Sequence, residues 1–223
     1  MTSPISEEPI SVAIYDLDGV ITTRDSFTAF IVEQLRRAPR QLVRALPAAA
    51  AMLVCPGEKR RRLATARVVT IALAGLRDHD YAELAAVFGK RIGSDPAWIR
   101  ASTVERIRRQ KAQGKSIIIA TATERQLAEY LLARAQVPYD LLSASLLAER
   151  PTGMEAADHR IGARKAEALR EQGVVIEEAE FVTDSISDLP TARLAAQVTL
   201  IGASRKTQKL YARAGIAVAD PTD

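Results

Sequence analysis

Cysteine occurs once in the 223 residues, at Cys55, so no internal disulfide can form and clusters of thiolate metal ligands are excluded. Histidine is nearly as scarce: His79 and His159 stand far apart, and neither belongs to a group with metal-ligand spacing. Both read as surface or capping residues. Aromatic residues make up only 4% of the chain, so leucine, alanine, valine and isoleucine must build the core that a hydrophobic content of 48% allows. No uncharged apolar run reaches the roughly 18–20 residues a membrane-spanning helix needs. Residues 1–9 are polar and acidic and carry no signal-peptide stretch. No sign of charge dominates either, since 31 Lys+Arg face 27 Asp+Glu. Arg106, Arg108, Arg109 and Lys111 have no aromatics among them and read as one solvated helix face, which argues against a nucleic-acid partner. The expectation is a cytoplasmic protein of one large domain, or one domain with an insertion.

Strand-like and helix-like segments alternate, which indicates an α/β fold with a central parallel sheet. Strands are expected at Val12–Tyr15, Ser116–Ala120, Glu180–Thr183 and Gln197–Ile201, with weaker ones near Leu141–Ala144 and Ile216–Ala219. Between the first two runs a long helical stretch without a strand. Asp80 with Glu83, Ser102 with Glu105 and Thr123 with Gln126 all have capping-box spacing, and Gly114 is placed to close a helix before Ser116.

What is there in strength is the segment Val12-Ala13-Ile14-Tyr15-Asp16-Leu17-Asp18-Gly19-Val20. An apolar strand runs into two carboxylates two residues apart, a spacing that aims both in one direction. Gly19 lets the chain turn away. Such a pair offers a hard cation its ligands, and a reaction both a nucleophile and an acid/base. An ordinary strand-ending turn has the same composition, and both readings stay open on this segment alone. Three later segments bear on the choice. Ile117–Thr123 is an apolar strand ending in a hydroxyl residue, Thr121, suited to hold a phosphate with a side chain and backbone N–H groups. Gly162–Leu169 puts Lys165 in the first turn of a helix, where the dipole disfavours a cation unless an anion is near. Phe181–Pro190 is a strand followed by Asp184 and Asp188.

In this order the four segments resemble the motifs of the haloacid dehalogenase superfamily, over about Ser11 to Ile201. Asp-Leu-Asp-Gly-Val-Ile-Thr-Thr-Arg-Asp-Ser-Phe from Asp16 to Phe27, with the helical insertion before Thr121, is most similar to subfamily IB, which holds phosphoserine phosphatases and phosphatidylglycerophosphatase C-like enzymes. Two departures are compatible with it: Thr183 stands where many members have glycine, and Thr121 replaces the commoner serine. The resemblance implies a Rossmann-like core, residues 1–27 and 103–223, and a helical cap, residues 28–102. It implies a Mg²⁺-dependent phosphomonoester hydrolase in which Asp16 attacks phosphorus and Asp18 is the acid/base. Asp16, the Asp18 backbone carbonyl and Asp184 would hold the metal. Thr121, Ala122 and Lys165 would hold the phosphate, and Asp188 would orient Lys165 or water ligands. A second aspartate at Asp18 separates phosphatase-like members from true dehalogenases. A phosphotransferase or mutase sharing the aspartyl-phosphate, and a silent binding module, are the alternatives.

The insertion bears on the substrate. Ala45 to Gly57 carries no charge, with Arg36, Arg37, Arg40 and Arg44 before it and Lys59, Arg60, Arg61 and Arg62 after it. Thirteen residues cannot span a bilayer. Two readings remain, a buried cap helix with solvated ends and a contact with an anionic membrane surface. Pro47 and Pro56 point to turns, Cys55 to packing, and Trp98 to the hinge between cap and core. Asp25 sits where phosphoserine phosphatases carry the acid that holds the substrate's amino group. The substrate expected is a small-molecule or lipid phosphate.

Overall fold

The computed structural model describes residues 10–54 and 57–219. Cys55 and Pro56 therefore lie outside the described residues. A seven-stranded sheet has the order β4-β3-β2-β1-β5-β6-β7. Its strands are β1 (Val12–Tyr15), β2 (Ser116–Glu124), β3 (Leu141–Arg150), β4 (Gly153–Asp158), β5 (Ala179–Thr183), β6 (Gln197–Leu200) and β7 (Val218–Ala219). All neighbours are parallel except β3 and β4, which form an antiparallel hairpin. That hairpin is absent from the sequence reading. β4 is Gly-Met-Glu-Ala-Ala-Asp, without a β-branched residue, and it takes its shape from pairing with β3.

Five helices separate β1 from β2: α1 (Ser26–Arg37), α2 (Pro39–Val54), α3 (Glu58–Ala72), α4 (Asp78–Gly93) and α5 (Ala101–Ala112). The rest are α6 (Arg125–Arg134), α7 (Ala163–Glu171), the single turn α8 (Leu189–Ala192) and α9 (Arg205–Arg213). Alternation along the strands divides the core. Ala13, Tyr15, Ile117 and Ile119 join one apolar cluster with α1, α4 and α6, while Ile14, Ile118 and Phe181 join another with α7 and α9. Gly89 and Gly93 of α4 let it close on α6, where a Cβ at 93 would stand 2.7 Å from the Leu131 carbonyl.

Several local expectations are corrected. Pro47 makes no turn but lies inside α2. The carbonyl its ring leaves without an N–H partner is that of Val43, a residue 66% exposed, so water can satisfy it. Asp80 is not an N-cap: α4 starts one turn earlier, and the Asp80 side chain accepts from the backbone N–H of Arg77, 3.3 Å away. Ser102 likewise falls inside α5, whose N-cap is Arg100. Glu124, not Thr123, caps α6, accepting from the N–H groups of Gln126 and Leu127. Arg106 is not solvated. It is 4% exposed and donates to Glu180 at 2.7 Å across the sheet. Glu180 also accepts from Gln110 and Thr199, and these bonds hold its carboxyl below the ordinary value against the opposing effect of burial.

Trp98 lies where the helical insertion rejoins the segment after β1. Its carbonyl accepts from Thr23 N–H at 2.8 Å, Thr22 bridges Ile99, and Arg100 donates to the carbonyls of Gly19 and Val20. The segment leaving the helical insertion is thus stitched to the one entering it.

Candidate active site

β1 lies between β2 and β5; the chain leaves β1 toward β2 and β5 toward β6, in opposite directions, which opens a crevice at the C-terminal ends of β1 and β5. Asp16 follows β1 directly, its N–H donating to the Val182 carbonyl at 2.9 Å. Asp184 follows β5. A cleft of about 460 Å³ is lined by Asp16, Asp18, Lys165, Asp184 and Asp188, together with Ala122 at the end of β2.

Lys165 is the cation at its centre. α7 begins at Gly162 (φ 62°, ψ −131°), a conformation open to glycine alone, and this delivers Lys165 from the first turn. Its Nζ stands 3.1 Å from Asp16 Oδ1 and 2.7 Å from Asp188 Oδ1. Burial works against its charge, but the two carboxylates outweigh burial and raise its pKa. The other oxygen of Asp188 accepts from Thr183 Oγ at 2.7 Å, and Thr183 Oγ accepts from Ser185 N–H. Thr183 thus fixes the loop that carries Asp184 and Asp188.

Asp18 is held on the other side. Ser26 N–H, at the start of α1, donates to Oδ1 at 2.8 Å, and Thr123 Oγ donates to Oδ2 at 2.6 Å. Ser26 Oγ is 3.1 Å from Thr123 Oγ, linking the two donors. Burial, joined by the charge of Asp25, pushes the Asp18 carboxyl up to about 6 despite these donors. Asp16 is also raised, first by burial and then by Asp188 and Asp18, against the pull of Lys165.

The cleft's acids outnumber its cations. Gly19 (φ 79°) packs so closely on Asp184 that any Cβ there would overlap its carboxylate. Among the described residues no three His, Cys, Asp or Glu side chains form a metal-binding group. A cation here would therefore take the Asp16 and Asp184 carboxylates with backbone and water oxygens. Hard oxygens in that number suit Mg²⁺, which is commonly bound by one or two carboxylates and keeps several waters. The residues fit the metal.

Of the expected site residues, Asp16, Asp18, Ala122, Lys165, Asp184 and Asp188 come together in one cleft. Thr121 is fully buried behind it, and its hydroxyl accepts from Thr123 N–H at 3.0 Å. Asp25 borders the cleft while capping α1 through Thr28 N–H at 2.7 Å. Thr123 and Ser26 escaped notice: one resembled a helix cap, and the other lies eight residues beyond the carboxylate it serves.

No curated protein sequence matches the chain. Among solved structures, a protein of unknown function from Bordetella pertussis Tohama I shares 16% identity at TM-score 0.66, covering 94% of this chain and 97% of its own. A phosphoserine phosphohydrolase-like protein from Francisella tularensis subsp. tularensis SCHU S4 shares 13% at TM-score 0.63, covering 90% and 92%. A phosphoserine phosphatase in apo form shares 10% at TM-score 0.60, covering 89% and 90%. At these identities the likeness is one of fold. The model of haloacid dehalogenase-like hydrolases matches residues 13–193, from β1 to just past the acidic loop, and the chain belongs to that family.

Proposed function

We propose that the protein hydrolyses phosphomonoesters in the presence of Mg²⁺, by way of a phosphoryl group carried on Asp16. The observation that carries this reading is the division of labour between two neighbouring carboxylates. Asp16 faces Lys165 at 3.1 Å, whereas Asp18 faces neutral donors and titrates near 6. In this reading an Asp16 oxygen attacks phosphorus and the ester P–O bond breaks. The departing alkoxide takes the proton of Asp18. Water then attacks the aspartyl-phosphate, gives its proton to Asp18, and releases inorganic phosphate with Asp16 restored. Lys165 and backbone N–H groups near Ala122 neutralise the phosphoryl oxygens. Bound Mg²⁺ supplies further charge neutralisation where a carboxylate and a phosphate dianion otherwise repel. A phospho-aspartyl intermediate analogue of phosphoserine phosphatase, of the same fold at TM-score 0.56 and 12% identity, supports the reading.

The test is Asp16→Asn with p-nitrophenyl phosphate. Turnover should fall by at least about 10³-fold with the circular dichroism spectrum unchanged, and wild-type activity should vanish with a chelator and return with Mg²⁺. Near-normal hydrolysis by the variant would sink the assignment. Product analysis with an added alcohol separates hydrolysis from phosphotransfer.

One further observation favours a peripheral membrane contact. α2 turns Ala45 and Ala48 inward while Val43 and Leu46 stay exposed, alongside the exposed Arg40 and Arg44. No helix among the described residues is long and apolar enough to cross a membrane. An apolar stripe flanked by arginines suits an anionic surface. Co-sedimentation with phosphatidylglycerol vesicles should be lost at high salt and in Val43→Glu/Leu46→Glu. Failure of the wild type to bind would remove this reading.

A further inference from the structure

Beside the catalytic cleft, and sharing Asp18, Asp25, Ala122 and Ile161 with it, lies a second cavity of about 200 Å³ between helices α1 and α3 and the β3–β4 hairpin. An ester whose phosphorus stands at Asp16 and whose leaving oxygen stands at Asp18 would place its alcohol here.

The lining decides what that alcohol can be. Phe27, Val69, Leu146, Leu147 and Ile161 give it an apolar body. Among its described lining residues there is no lysine or arginine, so its walls offer a carboxylate on the alcohol no cation. Two of its acids are already engaged. Glu124 already accepts from Tyr81 Oη at 2.6 Å and from two backbone N–H groups, and Asp158 is paired with Arg160 and Arg164. Asp25, shared with the cleft, accepts from Thr28 N–H at 2.7 Å as the cap of α1 and adds a negative charge at the mouth. His159 titrates below its ordinary value because burial and Arg62 disfavour its charge. Charges enter such a site only at a large desolvation cost unless a partner meets them.

Resting on the hydrolase reading above, we propose that the leaving alcohol is largely apolar and carries no negative charge, and that the protein selects against amino-acid phosphates. The size fits a compact group, since an apolar cavity of about 150 Å³ accommodates a benzene ring.

The experiment compares kcat/KM, with Mg²⁺, for n-butyl phosphate, phenyl phosphate, O-phosphoethanolamine, O-phosphoserine and a lysophosphatidate. Butyl and phenyl phosphate should exceed phosphoserine by at least about tenfold. Butanol is a poorer leaving group than the serine alcohol, so chemistry alone does not put butyl phosphate ahead, and the butyl comparison carries the test. Lysophosphatidate above butyl phosphate assigns the same chemistry to a lipid source; the reverse assigns it to a small alcohol. Ala66→Asp, on the α3 wall, places a carboxylate in the cavity and should lower butyl phosphate hydrolysis while raising the phosphoethanolamine-to-butyl ratio about tenfold or more. Phosphoserine equal to or above butyl phosphate overturns the inference while leaving the hydrolase standing, as does a ratio unmoved in the variant. No phosphate release from any ester overturns the hydrolase reading, and this inference with it.

Discussion

Replacing Thr123 with valine keeps the shape and β-branching that suit the end of β2 and removes one hydroxyl. That hydroxyl donates to Asp18 Oδ2 at 2.6 Å and contacts Ser26 Oγ at 3.1 Å. A hydrogen bond to a charged group is worth about 1.5–3 kcal/mol. It favours the ionised carboxylate, so its loss should raise the Asp18 pKa further above its present value near 6, by about one to two units. Asp18 must be ionised to take a proton from the attacking water. The acid limb of the kcat–pH profile should therefore move upward by the same one to two units. Near pH 6, where half of the wild-type carboxyl is ionised, turnover should drop about 5- to 50-fold, with partial recovery at higher pH. Ser26 keeps its backbone bond to Asp18, so the fold should lose only about 1–2 kcal/mol, a melting temperature a few degrees lower. The assay is steady-state hydrolysis from pH 5 to 9 with Mg²⁺ in excess, and Thr123→Ser should restore the wild-type limb. An acid limb that stays in place, whatever happens to the rate, would refute the role given to this hydroxyl.

Two other outcomes follow from the geometry. Gly19→Ala forces a side chain into the Asp184 carboxylate at a φ of 79°, so the Mg²⁺ concentration giving half-maximal activity should rise about tenfold or more, with little change in circular dichroism; an unchanged Mg²⁺ titration would count against Asp184 as a ligand. Glu180 has a lowered pKa in the fold, so its contribution to stability is complete above its ordinary value of 4.5 and is lost as pH falls below that. Glu180→Gln leaves buried Arg106 short of its carboxylate and should cost about 3–5 kcal/mol near neutral pH. The variant's melting temperature should then fall less steeply than the wild type's in acid; parallel curves would contradict the linkage.

Much of the frame was legible because parallel strands buried on both faces leave continuous apolar runs, as in Ile117-Ile118-Ile119 and in Val12 to Tyr15. β4 left no such trace, since an antiparallel edge strand of small residues gains its order from a partner far from any local pattern. Helix starts were legible only roughly. Asp80 and Ser102 have cap chemistry, yet Arg77 and Arg100 occupy the caps, because packing of α4 and α5 decided where those helices begin. Arg106 sits in a basic stretch that looks solvated, and only the approach of β5 supplies Glu180.

The chemical inventory is local and therefore belongs to the sequence. Two acids after a strand, a lysine in a first helical turn and two more acids after another strand are each set by neighbours a few residues away. What those residues do to one another is not local. Asp16 meets Lys165 across 149 positions, and Asp18 meets Thr123 across 105, so their unequal surroundings arise only when β1 is laid between β2 and β5. The same holds for the apolar cavity beside them. Its walls come from α1, α3 and the β3–β4 hairpin, and burial, an effect of all of them together, makes the chamber a poor solvent for charge.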